Sequence, residues 1–268
     1  MASFNICSYN VQMRPILDNV CYKAKRIGPR LNQFDIACLQ EGFAGDHKLA
    51  KYTNHIHKVN PDQKRNCFTI VDSGLLTLSN FDLKAVHFEV YNNYATFQDF
   101  IASKGVLMTR WNINGCLVDV YNTHMQAGNG QEGLDAARSQ ILQLIKAVNT
   151  HTPPENGLIV LGDFNMSPIR PGKTNLELLP QPMYDDDTIM IHRTTSFNMM
   201  VTQLNLTDVY DIFYPGQFDY FDRCLFRSGI KVKLVPNSIK SDKTFLDENG
   251  NMLSDAWPLV INITVSKS

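Results

Sequence analysis

The chain has no cysteine pair at C-x-x-C spacing, no apolar run approaching the ~18 residues that span a bilayer, and almost no net charge (−1 over 268 residues). The six cysteines are scattered, and Cys7, Cys38 and Cys116 lie in apolar strand-like runs where cysteine serves as a small buried hydrophobe. The expectation is six reduced thiols rather than a disulfide framework. No basic-plus-apolar leader precedes the first strand, so the reading is a soluble, cytoplasmic protein. The neutral total gives no argument for nucleic acid, yet does not exclude it, because a local basic patch can hide in a balanced sum.

What is present suits a globular α/β chain. Hydrophobic residues make up 44% and charged residues 19%, enough apolar material for a sizeable core. No internal repeat and no linker is visible, so residues 1–268 are read as one domain. Phe4 to Tyr9 alternates like a strand. Leu17, Val20, Ala24, Ile27, Leu31 and Phe34 then recur at spacings of three and four, one face of a helix. Asp35 to Gln40 reads as a buried strand, which makes a β-α-β unit with neighbouring strands.

Further strands are expected at Cys67 to Val71, Leu75 to Ser79, Lys84 to Val90, Val106 to Arg110 and Cys116 to Asn122. Asp135 to Val148 has helical spacing, and His151 to Gly157 breaks it before an apolar strand at Leu158 to Leu161. Met166 to Met200 has weak periodicity and reads as a long surface insertion. Its acidic run Asp185-Asp186-Asp187 is a solvated turn or, in the sharper reading, an extra metal site. Strands around Phe221 to Arg227, Lys231 to Pro236 and Leu259 to Val265 close the chain.

Polar residues sit at the outgoing ends of four of these strands: Asn10, Glu41, His124, and Asp163 with Asn165. Any one alone is an ordinary solvated side chain. Together they supply oxygen and imidazole groups over a rigid scaffold, where functional loops gather. Such oxygen donors suit a hard cation, which takes one or two carboxylates and several waters. No His/Cys spacing for zinc is visible.

Ser8-Tyr9-Asn10, Leu39-Gln40-Glu41, Asn122-Thr123-His124, Leu161-Gly162-Asp163-Phe164-Asn165 and Ser254-Asp255, taken in that order, resemble the motif series of the endonuclease/exonuclease/phosphatase superfamily. The resemblance implies a four-layer α/β sandwich, with two central mixed β-sheets face to face and helices outside. It implies Mg²⁺, or Mn²⁺, at Glu41 with Asn10 and Asp255. Asp163 and Asn165 would orient water and phosphate, and His124 would bond a phosphate oxygen. Asp222 would orient a base histidine, with Asp219 as a rival for that role. In this superfamily a histidine follows Ser-Asp; here the position holds Ala256. Alanine cannot take a proton, so the expected phosphodiesterase lacks its general base. An engineered change that traps substrate and a naturally inactive homologue are the two explanations, and the otherwise intact motif set favours the first.

Two branches compete. Ser73 to Ser79, Ser103-Lys104-Gly105 and Thr123 to Ala127 resemble neutral sphingomyelinases, which makes Lys104 a phosphate-binding candidate against the plainer reading of an exposed lysine. Phe221 to Arg227 and Asp255-Ala256-Trp257 resemble tyrosyl-DNA phosphodiesterases. The Asp222-Arg223 pair is also similar to the inositol polyphosphate phosphatases, which implies that Arg223 and Arg227 would meet a phosphate-rich substrate, against the plainer reading of surface ion pairs. The aromatics Phe88, Tyr91, Tyr94, Phe97 and Phe100 form either core or a rim for peripheral membrane contact. The expected partner is a phosphodiester, either a phospholipid headgroup or nucleic acid, and no obligate protein partner is evident.

Overall fold

The computed structural model describes residues 1–15, 17–43, 46–61, 72–95, 103–127, 131–166, 187–215 and 221–268. The chain runs β1 (Ala2–Asn10), α1 (Val20–Leu31), β2 (Ile36–Gln40), α2 (Asp46–Lys51), β3 (His57–Val59), β4 (Leu76–Ser79), β5 (Asp82–Val90), β6 (Gly105–Ile113) and β7 (Cys116–His124). It continues with α3 (Gln131–His151), β8 (Gly157–Asp163), α4 (Asp187–Gln203), β9 (Thr207–Asp208), α5 (Val209–Phe213), β10 (Asp222–Arg227), β11 (Val232–Ser241) and β12 (Leu259–Lys267).

The strands form two six-stranded sheets, ordered β11-β12-β1-β2-β4-β3 and β5-β6-β7-β8-β10-β9. Each sheet is mixed and contains one parallel pair, β1 with β2 and β7 with β8. A parallel pair needs a crossover, and α1 and α3 supply it. The sheets pack face to face through alternate residues: Phe4 and Ile6 of β1, Ile36 and Cys38 of β2, Val118 and Val120 of β7, Ile159 and Leu161 of β8, and Cys224 and Phe226 of β10. The intervening residues face outward. Cys7 and Tyr9 meet α1 through Ala24, Ile27 and Leu31, while Leu158 and Val160 meet α3 through Ile141, Leu144 and Val148. The result is the expected four-layer sandwich.

Two expectations are corrected. Helix α1 starts at Val20 rather than Leu17, which is 74% exposed. The Asn19 side chain caps it by accepting from the Tyr22 N–H at 3.1 Å. The second half of the supposed surface insertion is helix α4, whose Phe197 and Met200 are buried with Leu204 against the outer face of the second sheet. Their spacing of three and four is a helical signal, diluted by polar neighbours. Of the two readings open for the aromatics, Tyr91 takes the core one, with Tyr94 packed partly buried against the same cluster, and the Tyr91 hydroxyl lies 2.6 Å from Thr123 Oγ1. The strand expected at Cys67 to Val71, the acidic pair Asp185-Asp186, and Phe97, Phe100 and Asp219 lie outside the described residues. Among the described residues no helix is long and apolar enough to cross a membrane.

Close approach of β7 and β8 depends on Gly162, which has φ +144° and sits opposite Thr123. A Cβ there would lie 1.9 Å from the Thr123 carbonyl oxygen. Gly162→Ala is therefore expected to destabilise the protein by about 1–3 kcal/mol, read as a lowered midpoint in urea unfolding followed by circular dichroism. An unchanged midpoint would mean that the parallel pair can spread at no cost.

Candidate active site

The alternation that fills the space between the sheets also builds the site. Continuing each inward-facing row to the end of its strand gives Ser8 and Asn10 on β1, Gln40 on β2, Asn122 and His124 on β7, and Asp163 on β8. On antiparallel β10 the same row begins at Asp222, which pairs in register with Asp163. The apolar layer thus gives way to a polar one at the carboxyl ends of both parallel pairs. Just beneath the site, Gln40 Nε2 donates to Asn122 Oδ1 at 2.8 Å and to Ser8 Oγ at 3.2 Å, which ties one sheet to the other. Asn122 Nδ2 donates back to the Leu39 carbonyl at 3.1 Å.

Above this layer, Asn10 Nδ2 donates to Glu41 Oε1 at 2.8 Å and to Asp163 Oδ2 at 3.2 Å. Glu41 leaves the strand with φ +53°, and Gln12 and Asn165 have φ +47° and +50°. Left-handed backbone at residues other than glycine costs free energy and persists only where neighbouring contacts hold it. Here they do: Met13 N donates to the Glu41 carbonyl, Gln12 N to Asn10 Oδ1, and Asn165 N to Asp163 Oδ1, at 2.9, 3.0 and 2.9 Å. Asp255 is exposed and accepts from Gln12 Nε2 at 2.6 Å. The Ser254 hydroxyl donates to the Asn10 carbonyl at 2.7 Å and so pins the Ser254-Asp255-Ala256 loop to the end of β1.

Lys104 is 5% exposed, which removes the reading as an ordinary surface lysine. Its Nζ lies 3.4 Å from His124 Nε2 and donates to the Met125 carbonyl at 3.2 Å. Burial, reinforced by the Lys104 charge, holds His124 well below the usual histidine range, so the imidazole is neutral. Burial pushes Glu41 and Asp163 upward. Asp222 is pushed well up, by burial first and the Asp163 charge second, against a Ser8 hydrogen bond. Asp222 Oδ1 has no hydrogen-bond partner among the described residues.

These groups line a cleft of about 540 Å³ together with Tyr210, Phe221, Ala256 and Trp257. The structure brings together Asn10, Glu41, Lys104, His124, Asp163, Asn165, Asp222, Asp255 and Ala256. It does not bring in Arg223. That residue is fully buried, points with Leu225 to the outer face of β10, and its Nη1 lies 3.3 Å from Asp208 Oδ2. It therefore fits neither the substrate-binding reading nor the surface one. Arg227 donates to the Leu204 carbonyl at 3.0 Å. Gln12, Tyr210 and Arg193 were not legible beforehand. Tyr210 reaches the cleft from α5 with the Arg223 guanidinium 5.3 Å from its ring, and Arg193 of α4 donates to the Asn165 carbonyl at 3.1 Å. None carries a local motif, since their positions depend on which elements pack together.

Four carboxylates, Glu41, Asp163, Asp222 and Asp255, meet one lysine in this cleft. Among the described residues no three His, Cys, Asp or Glu side chains converge as a ready-made metal cage. Mg²⁺ does not require one, because it keeps several waters and takes one or two carboxylates. A carboxylate excess on partly buried oxygen donors fits such a cation.

The sequence profile of the Endonuclease/Exonuclease/phosphatase family matches residues 7–243. A sphingomyelinase of Mycobacterium tuberculosis is 25% identical over 277 residues, covering 96% of this chain and 52% of the relative, so the chain spans about half the length of that curated relative. Among solved structures, beta toxin from Staphylococcus aureus with bound magnesium ions superposes with a TM-score of 0.67 at 16% identity, covering 97% of this chain and 99% of the other. D. rerio TDP2 complexed with a single-strand DNA product gives 0.69 at 14% identity, covering 98% and 100%.

Asp222 ties the site to stability. A carboxyl whose folded pKa lies above its unfolded value of about 3.9 stabilises fully only below that value. The contribution is lost as pH rises through the folded pKa. Asp222→Asn keeps the shape and removes the ionisation. In metal-free protein it should raise stability at neutral pH by roughly 0.5–2 kcal/mol and flatten the fall in stability above pH ~4. Thermal melts of both proteins across a pH series measure this, and parallel curves would show that Asp222 is not strained by its burial.

Proposed function

The chain belongs to the endonuclease/exonuclease/phosphatase family, and we propose that its cleft is a phosphodiesterase site suited to a phospholipid headgroup and disabled at Ala256. The observation that carries the substrate preference is the charge and lining of the cleft. Lys104 is the only lysine or arginine among the described lining residues, with His124 neutral beside it. One phosphate is well served by that pair. Nucleic acid takes its affinity from several phosphate contacts to cations, and the described lining has no second one. Tyr210, Phe221 and Trp257 supply aromatic faces, which attract a quaternary ammonium group through the ring quadrupole. A choline-type headgroup presents one phosphate and one such cation. The likeness to mycobacterial sphingomyelinase points the same way.

Glu41, Asn10 and Asp255 would hold Mg²⁺, or Mn²⁺ in its place. Bound there, the cation neutralises charge on the phosphoryl oxygens. The chain's own residues do the rest. Asn10 holds Glu41 and Asp163 in one geometry by donating to both. Lys104 and the neutral imidazole of His124 bind phosphate oxygens and stabilise the charge that grows on them. Asp163 accepts a hydrogen bond from the attacking water, and Asn165 orients the phosphate. The missing element is a proton acceptor at Ala256, next to a buried carboxyl, Asp222, of the kind that orients an imidazole. Free thiols at the five described cysteines suit the cytoplasmic setting we favour. Contact with a membrane surface would then be peripheral.

A positioned general base contributes roughly 100- to 10,000-fold. Ala256→His is expected to raise turnover of sphingomyelin micelles by that factor, with activity abolished by chelator. The same protein assayed on single- and double-stranded oligonucleotides separates the branches. Cleavage of oligonucleotides alone would move the chain to the nuclease reading. No gain on any phosphodiester would leave a phosphoester-binding protein.

A further inference from the structure

Gln12 links the end of the first strand to the loop that carries Asp255. Its neighbours Val11 and Met13 are fully buried, and their backbone N–H groups donate to the Gln40 and Glu41 carbonyls at 3.0 and 2.9 Å. The residue between them has little freedom, and its φ of +47° is left-handed. Two contacts hold that strained backbone. The Gln12 N–H donates to Asn10 Oδ1 at 3.0 Å, and the Gln12 carbonyl accepts from Lys23 Nζ of α1 at 2.6 Å.

These contacts fix the direction of two side-chain amides. The oxygen and nitrogen ends of an amide are nearly alike in shape, so hydrogen-bond partners decide which end faces where. A backbone N–H can only donate. Asn10 therefore meets Gln12 with its oxygen, which leaves Nδ2 for Glu41 and Asp163. An ammonium group can only donate too. Lys23 Nζ lies 3.3 Å from Gln12 Oε1, which turns Gln12 Nε2 toward Asp255 Oδ2 at 2.6 Å. Lys23 is itself held by Asp18 Oδ1 at 3.3 Å. Among the described residues the other donor at the Asp255 carboxylate is the Ser254 hydroxyl, 3.3 Å away. Its one hydrogen goes to the Asn10 carbonyl at 2.7 Å.

We propose that Gln12 is a positioning residue of the cleft: its side chain holds the exposed Asp255 carboxylate for a divalent cation, and Lys23 sets which way the Gln12 amide points. The inference rests on the reading that Glu41, Asn10 and Asp255 hold the metal. An exposed carboxylate loses rotational freedom when it binds an ion, and a donor that orients it beforehand removes part of that cost. Gln12 acts through Asp255 and needs no contact with metal or phosphate.

The test uses the full chain with Mn²⁺ as the probe, read as loss of the free-ion electron paramagnetic resonance signal, and Mg²⁺ as competitor. Gln12→Met keeps the length of the side chain and removes the donor. Gln12→Gly removes the side chain and relieves the left-handed backbone. Both should weaken Mn²⁺ binding about tenfold or more, while the melting midpoint of metal-free Gln12→Gly does not fall below that of the parent. A side chain with only a structural role would lower the midpoint and leave the affinity alone, and that result overturns the proposal. In an Asp255→Ala background Gln12→Met should have no further effect, because its partner is gone. The same loss with and without Asp255 also overturns it.

A metal-free readout separates this from the reading of function. The Gln12 side-chain amide protons, assigned by their disappearance in Gln12→Met, should exchange slowly in the parent and shift in Asp255→Ala. A parent that binds neither ion rejects the metal reading, and the positioning of Asp255 then stands or falls on this amide signature. Equal Mn²⁺ affinity in the parent and in Gln12→Met keeps the metal reading and rejects the role of Gln12.

Discussion

One side-chain amide holds the site together. Asn10, at the end of a strand in the first sheet, donates both hydrogens of its Nδ2, one to Glu41 in the same sheet and one to Asp163 in the other. Two partly buried carboxylates repel each other, and each would rise in pKa without a donor. A neutral amide with two N–H groups draws them to one point without adding a charge. The register of the sheets, the turn at Gln12 and the pinned Ser254 loop all converge on this residue. If it moved, Glu41 and Asp163 would lose their common reference.

The polar layer exists because two β-α-β units point the same way. Parallel pairs β1/β2 and β7/β8 end at the same edge of the sandwich, so their inward rows run out of apolar partners together. The Gln40, Asn122 and Ser8 network then bridges the sheets where hydrocarbon stops. Such a layer is costly when half satisfied. Among the described residues, Gln40 Oε1, His124 Nδ1 and Asp222 Oδ1 are unmet atoms in or near the cleft, while Tyr9 Oη and His55 Nδ1 are unmet elsewhere. Strained backbone at Gln12, Glu41 and Asn165 lies beside the cleft.

Much of the sandwich was legible because burial imposes period two on strands and period near 3.6 on helices. The β-α-β unit through α1, the helix α3 and the strand ends at Asn10, Glu41, His124 and Asp163 all follow from that. Helix α4 was missed because its buried face is narrow, with Phe197 and Met200 set among polar residues. The role of Arg223 was misjudged, and two readings of Lys104 stayed open, for a related reason. A lysine or arginine in sequence carries no mark of burial, and its partners, Asp208 for one and Met125 and His124 for the other, sit on other elements.

The sequence by itself determined the family-like order of motifs, the strand ends that carry Asn10, Glu41, His124 and Asp163, and the absence of a titratable side chain at position 256. These are local properties, carried by spacing and side-chain chemistry. Only the tertiary structure decided that Asn10 spans both sheets, that Arg223 is a buried ion-pair partner outside the cleft, that Tyr210 is one of its walls, and that Asp222 lines the same cleft as Ala256. Each of these depends on which strand ends lie side by side. That is set by the packing of two sheets whose contacting residues are far apart in the chain, and no local pattern encodes it.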